Sequence, residues 1–516
     1  MKILTAAQMR EVDRKTIALG VPGLILMENA GHRVVEFLER CFSPLASHRI
    51  LVLCGKGNNA GDGFVVARQL FTRIRPAALH VVCAAKEEEL QGDAAANFRM
   101  LSVCGCPVHY DITPPMRAAT IVVDALLGTG IQGAPRGLLA DWIGEINSGF
   151  PAAKVVAIDM PSGLTSDASS SPGPFVKANY TVTFTAPKLG QVLEPNSEAV
   201  GELHVAAIGS PRSLLEEDAA LTTAMNGPEL FAELFAPRPV SAHKGDFGHV
   251  LVLAGSRGKP GAAAMTGMAA LRAGAGLVTV ASACSALPAI ASHAPELMIE
   301  PLPETETGVI LSSAWETSIR SLIEGKSVVA AGPGLGIHPE ISALLDHVVA
   351  ECALPMVLDA DALNALGANA PVSRDDIIIT PHPGEMSRLT GIATADIQVD
   401  RLAVARAFSK ARGLTVVLKG RRTVIAFPDW QAFINPTGGP AMASGGSGDI
   451  LTGLAAGLVA QFPRRYREAV LAAVWLHGRA GDLGARRFGE KSLIATDILQ
   501  FLPEAVSCCA SLANTF

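Results

Sequence analysis

The nine cysteines of this chain nowhere take the two-plus-two spacing that holds zinc. Nor do Cys104, Cys106 and the adjacent Cys508 and Cys509 outline the disulfide framework of a small secreted domain. They read as reduced thiols, and a cytoplasmic protein is expected. Charge of one sign is also scarce. A net charge of −6, a pI near 6.1 and the lack of any long Lys/Arg run argue against nucleic acid or an anionic membrane surface as partner. No stretch of about 18 apolar residues runs without polar interruption. The mean hydropathy of +0.33 therefore reflects Ala, Val, Leu and Gly in α/β layers. The opening MKILTAAQMREVDRKTIALG carries Arg10, Glu11, Asp13, Arg14 and Lys15 where an export signal needs apolar residues. No internal repeat relates the two halves. The expectation is a soluble, homo-oligomeric protein whose partners are small molecules.

What is present is an alternation of apolar runs and helical patterns over 516 residues, enough for two large α/β domains. Two amphipathic helices, Thr5 to Leu19 and Leu24 to Arg40, are broken at Gly20, Pro22 and Gly23. The runs ILVLCG, LHVVCA, IVVDALLG, VVAIDMPSG, TVTFTA and LHVAAIG follow, and their spacing predicts a mostly parallel, doubly wound sheet. Ligands of such sheets bind at the carboxyl ends of the strands. After the first run, GKGNNAGDGFVVARQL predicts a glycine-rich turn feeding a helix from about Gly63; its glycines fit neither the dinucleotide fingerprint nor the P-loop. Asn59, Asp124 and Ser162 each follow a strand. They read either as turn residues or as hard oxygen ligands of a cation that is not a soft transition metal.

Between Pro211 and Pro239 the strand pattern fades, which predicts a linker and two domains, 1 to 218 and 219 to 516. A second α/β run begins at HVLVLAGS. GPGLG at 332 to 336, His382 and Glu385 in PHPGEM, and KGRRT at 419 to 423 all lie at strand ends. Each reads as loop surface or as a ligand contact. Most telling is NPTGGPAMASGGSGDILTG, 435 to 453, where glycines open a buried helix and main-chain N–H groups can converge on a phosphate. Asp449 there is either the helix N-cap or a base for a substrate hydroxyl beside that phosphate.

GNNAGDG, VDALLGTG and IDMPSGL, in this order and with TVTFTAPKLG and its Lys188, resemble the NAD(P)H-hydrate epimerase domain across roughly residues 1 to 215. The resemblance implies that Asn58, Asn59, Ala60, Gly61 and Asp62, with Gly128, Thr129, Gly130, Ile131, Gln132, Gly133 and Ala134, hold a hydrated dinucleotide. It implies Asp159 as substrate contact and acid/base, and Asn59, Asp124 and Ser162 as ligands of K⁺. Ala60 stands where the family usually has glycine, so an ordinary φ is expected there.

HPGE, the strand ending in Lys419, and TGGPAMASGGSGD resemble the ADP- or ATP-dependent NAD(P)H-hydrate dehydratase, of the ribokinase-like superfamily. By that resemblance Ala262, Gly334 and His382 contact the hydrate, and Asp449 is the catalytic base. Lys419, Gly420, Arg421, Arg422, Thr423 and Gly448 form the adenine-nucleotide site, with Mg²⁺ accompanying ADP or ATP. Together the halves imply a Rossmann-like epimerase domain followed by a ribokinase-like dehydratase domain. Two rival readings stay open: a small-molecule kinase of the same superfamily with a fused partner, and a first half that only binds nucleotide.

Overall fold

In the computed structural model, residues 1–131, 133–367 and 374–513 are described. The chain divides into two compact units, Met1–Thr223 and Ala224–Phe516.

The first unit is built on seven parallel strands. Their order across the sheet is Val108–His109, Ala78–Cys83, Arg49–Cys54, Ile121–Ala125, Lys154–Ile158, Tyr180–Phe184 and Glu202–Ala206. The strands are apolar on both sides because both faces are covered. Ile50, Val52 and Cys54 join Val34, Phe37, Phe64 and Leu70 in one core, while Leu51 and Leu53 join Trp142, Ile143 and Ile146 in the other. The chain winds outward from Arg49–Cys54 and then returns to Ile121–Ala125 on its other side, so the topological switch point lies between these two strands. That point carries Asn59 and Asp124.

The helix after the first strand spans Asn58–Gln69 and starts five residues before the expected Gly63, so the expected glycine-rich turn is mostly helix. Its glycines serve packing instead. A Cβ on Gly61 would lie 2.4 Å from Met27 Sδ, and one on Gly63 would lie 2.8 Å from Cys54 Sγ. Ala60 is fully buried within this helix and is not among the residues of positive φ, as expected.

The second unit holds a ten-stranded sheet. Seven parallel strands, Met298–Leu302, Leu277–Ala283, His249–Leu253, Val328–Ala331, Met356–Leu358, Ile377–Ile379 and Thr415–Leu418, are followed by Val424–Ala426 and Ala432–Ile434, which run antiparallel. Thr223–Met225, in the segment expected to be a linker, closes the far edge. The apolar run at 414 to 427 is a hairpin with KGRRT at its turn, as the pairing of Val417 with Ile425 shows. Val108–His109 is too short to show a period, and Met298–Leu302 is an edge strand carrying Glu300 and Pro301; neither stood out in the sequence.

The helix Ser447–Gln461 is buried along nearly all its length against Pro260–Arg272. Glycine permits the close approach: a Cβ on Gly453 would lie 2.1 Å from the Thr266 carbonyl. Among the described residues no helix is long and apolar enough to cross a membrane.

Candidate functional site

In the first unit, two side-chain constellations meet the carboxyl edge of the sheet. The first surrounds Asp124, fully buried at the end of its strand. Ser162 donates to it twice, from Oγ to Oδ1 at 2.6 Å and from the main-chain N–H to Oδ2 at 2.8 Å. Burial nonetheless pushes the Asp124 carboxyl up to about 6. Asn59 Nδ2 donates to the Leu127 carbonyl at 3.0 Å, and the Leu127 N–H donates to Ser162 Oγ at 2.8 Å, so one loop ties the three predicted ligands together. Asn59 Oδ1 is buried without a hydrogen-bond partner. An orphaned amide oxygen beside a carboxylate and a hydroxyl fits a hard monovalent cation. Among the described residues no group of three or more His, Cys, Asp or Glu side chains is placed to hold a metal.

The second constellation surrounds Asp159, whose backbone takes φ +59, a conformation that costs a non-glycine residue energy. Lys188, 1% exposed, donates from Nζ to Asp159 Oδ1 at 2.5 Å and to Thr183 Oγ1 at 2.8 Å. Gln191 Nε2 holds the Asp159 carbonyl at 2.5 Å. Two further carboxyls bear on this pair. Asp62 is held well above the usual carboxylate range by burial and then by Asp159 and Asp13. Asp13, from the helix Ala6–Ala18, is pushed up to about 6 by burial against the pull of Lys188, and its Oδ1 is buried without a partner. Sequence reading missed Asp13, since nothing local marks one acid on an amphipathic helix as facing a site.

Of the predicted dinucleotide loop, Asn58 to Asp62 form the first turn of a helix, with Asn59, Ala60, Gly61 and Asp62 buried. Gly128, Thr129, Gly130, Ile131, Gly133 and Ala134 lie in the irregular segment after Ile121–Ala125; Gln132 lies outside the described residues. A Cβ on Gly128 would sit 3.3 Å from Asn59 Cβ, so these two segments meet.

In the second unit the strand ends again gather the predicted residues. Gly334, at φ +68, lies against Ala262: a Cβ on Gly334 would be 3.0 Å from Ala262 Cβ. His382 caps the helix Pro383–Thr390, its Nδ1 accepting from the N–H groups of Gly384 at 3.0 Å and Glu385 at 3.3 Å. A ring nitrogen that accepts carries no proton, which leaves Nε2 as the protonated one. At the KGRRT turn, Gly420 takes φ +143 and Arg422 φ +56, and Thr423 Oγ1 donates back to the Gly420 carbonyl at 2.9 Å. Arg401, which the sequence did not single out, braces this turn from below by donating to the carbonyls of Leu418, Lys419 and Arg421.

The glycine loop enters its helix through Gly446 at φ +93, and Asp449 is the third helical residue, so Gly446 and not Asp449 is the N-cap. Asp449 makes no side-chain hydrogen bond among the described residues. Burial, then Asp359, push it up to about 6, against the pull of Lys419. His477, from the helix Tyr466–Phe488, holds the loop by donating from Nε2 to the Ser447 carbonyl at 2.9 Å. Burial depresses its imidazole to about 4, so it stays neutral.

Asp359 completes the group. It is 1% exposed, accepts from Lys419 Nζ at 2.6 Å and from Thr452 Oγ1 at 2.9 Å, and is not among the residues expected from the sequence. Its position directly after an apolar run was the signal. Among the described residues no closed cage for a divalent ion is formed here; Lys419 lies against both Asp359 and Glu385 instead. Mg²⁺ fits this edge as an ion carried by nucleotide phosphates.

Residues 250–504 match the family described as NAD(P)H-hydrate dehydratase, and residues 23–190 match the YjeF-related protein N-terminus. The bifunctional NAD(P)H-hydrate repair enzyme Nnr of Moorella thermoacetica is 42% identical over 518 residues, spanning 98% of this chain and 96% of that one. Its namesake from Escherichia coli K12 is 36% identical over 492 residues, spanning 95% and 90%. Among solved structures, a ribokinase-like superfamily protein from Enterococcus faecalis V583 is similar at a TM-score of 0.50 and 28% identity, over 56% of this chain and 97% of that one. Both halves thus find their counterparts in single relatives, in the same order and over nearly the whole length, and the chain belongs to the bifunctional NAD(P)H-hydrate repair enzymes.

Proposed function

We propose that the chain restores hydrated NADH and NADPH to their reduced forms. The first unit interconverts the R and S hydrates, and the second dehydrates the S form at the expense of ADP or ATP. Hydroxide leaves a ring carbon poorly and phosphate leaves well, so the second unit uses phosphoryl transfer for a net loss of water. Asp449 takes the proton of the C6 hydroxyl as its oxygen attacks the terminal phosphorus. The bond from that phosphorus to the departing AMP or ADP oxygen breaks, while the main-chain N–H groups of residues 445 to 448 hold the phosphoryl oxygens. Phosphate then leaves C6 with its electron pair as C5 gives up a proton, and the ring double bond returns.

The observation that carries this reading is Asp449: a half-buried carboxyl that makes no side-chain hydrogen bond among the described residues, pushed up to about 6, in the first turn of a helix behind a glycine loop. In the first unit, Asp159 takes the proton of the C6 hydroxyl as the bond from C6 to the ring nitrogen breaks, leaving an aldehyde and the electron pair on nitrogen. That nitrogen then adds to the other face of the aldehyde and Asp159 returns the proton to its oxygen, with Lys188 as the charge partner of the carboxylate. Asn59, Asp124 and Ser162 hold K⁺, which steadies the loop at Leu127. The test is to incubate hydrated NADH with ADP, or with ATP, and follow the return of absorbance of the reduced ring. Accumulation of a stable phosphorylated product would instead make the second unit a kinase.

A further inference from the structure

We propose that Lys419 acts on the transferred phosphoryl group, as the cation beside Asp449, and that Asp359 is the positioning residue that holds it there. The inference rests on the dehydration reading above and goes beyond it, since resemblance assigns Lys419 to the adenine-nucleotide site.

Three neighbouring elements build the arrangement. Lys419 follows the strand Thr415–Leu418, Asp359 follows Met356–Leu358, and Thr452 lies one turn along the helix Ser447–Gln461. Asp359 Oδ1 takes Lys419 Nζ at 2.6 Å, its Oδ2 takes Thr452 Oγ1 at 2.9 Å, and Glu385 Oε2 lies 3.7 Å from the same ammonium. A Cβ on Gly448 would sit 3.3 Å from both Asp359 Oδ2 and Lys419 Nζ. The ammonium therefore lies against the residue that precedes Asp449, at the reacting end of the loop. Adenine is neutral and offers an ammonium little; a phosphoryl group gaining charge offers it much.

A buried ion pair is weak evidence for stability. The backbone carries a constraint at the same place. Ala360, between the two acids of the strand end, takes φ +51. That twist sends Asp359 to Lys419 and Asp361 to the Gly336 N–H at 2.8 Å and to Lys259 at 3.2 Å. Strain of this kind persists where the surroundings enforce it, and it gathers at reacting edges. Charge balance agrees, since without Lys419 the carboxylates Asp359, Glu385 and Asp449 would together repel an incoming phosphate. In the transfer step Lys419 keeps its proton; the C6 hydroxyl proton goes to Asp449.

The experiment uses the full-length protein, the S hydrate of NADH and saturating ADP, with wild-type turnover measured first; absence of NADH formation there sinks the parent reading and not this one. Lys419→Met is expected to lose about 10²- to 10³-fold in kcat, the usual loss on removing one donor to a developing oxyanion. AMP affinity, read by calorimetry, should stay within about threefold, which also reports that the unit is folded. The acid limb of kcat/KM should move up in Lys419→Met and stay in place in Lys419→Arg. The charged groups around Asp449 are Asp359, Asp361 and Lys419, with Glu385 acting through Lys419, Lys259 through Asp361, and neutral His477 beneath Ser447. Of these, the substitution removes the one cation that favours the Asp449 carboxylate directly. Asp359→Asn should lower kcat at unchanged AMP affinity. Unchanged kcat with a raised KM for ADP in Lys419→Met would overturn the proposal. Should that variant also lose AMP binding, Asp359→Asn decides: an unchanged kcat overturns the proposal, and a drop at unchanged AMP affinity upholds it.

Discussion

Lys188 Nζ sits 2.5 Å from Asp159 Oδ1, on a carboxylate whose backbone is held at φ +59. The ammonium is 1% exposed and shares its hydrogen bonds with Thr183 and the Phe184 carbonyl, so it is held in place on the carboxylate.

From that pair follows the first prediction. Lys188→Met leaves Asp159, beside buried Asp62 and half-buried Asp13, without the charge partner that its proton transfer uses. Epimerisation should fall by about 10² to 10⁴, the reach of a positioned acid/base, while dehydration of supplied S hydrate stays at the wild-type rate. Epimer-resolved chromatography of initial rates checks both.

Asp124→Ala should weaken epimerisation, and added K⁺ should partly compensate, because Asn59 Oδ1, Ser162 and the Leu127 carbonyl remain. Replacing K⁺ by a large organic cation in the wild-type assay should slow epimerisation alone. Indifference of both proteins to K⁺ would remove the cation from the account.

The sheets were legible because parallel strands covered on both faces read as unbroken apolar runs, as in ILVLCG and VVAIDM. The glycine loop before Asp449 was legible because its composition has few other uses. What the sequence concealed is non-local. Asp359 meets Lys419 only once two strands lie side by side, and Asp13 meets the Asp159 pair only once its helix docks. Asn58 to Asp62 misled for a local reason: glycines that suggested a turn sit inside a helix, where Met27 and Cys54 leave no room for a side chain.

Asp449, pushed up to about 6, predicts the pH dependence of dehydration. The base exists only when ionised, so kcat/KM should fall tenfold per unit below about 6 and level off above it. The sign for stability is the reverse. The folded state holds this proton more tightly than the unfolded chain does, so the stability it contributes is lost as pH rises from the ordinary aspartate value of 3.8 to about 6 and stays lost above that. Asp449→Asn should therefore melt well above the wild type at pH 8, less far above it at pH 5, and close to it at pH 4. Equal melting at all three would place Asp449 in an ordinary solvated setting.

Gly453→Ala tests the packing that seats the loop. The added Cβ would fall 2.1 Å from the Thr266 carbonyl, a backbone atom that cannot swing away. A loss of about 1 to 3 kcal/mol is expected, as for other overpacked cores. It should appear in thermal unfolding of the second unit and as a raised KM for ADP.

The division of labour between the units is tested most directly by mixing two full-length variants. With ADP and a mixture of hydrates, Lys188→Met should consume the S form and then slow to the rate of spontaneous exchange, leaving the R form. Asp449→Asn should form no NADH but should interconvert the hydrates. Adding the second protein to the stalled first should restart consumption until little hydrate remains, measured as initial rates after the stall. Consumption of both hydrates at one rate by Lys188→Met alone, or no restart on mixing, would contradict an epimerase in the first unit serving a dehydratase in the second.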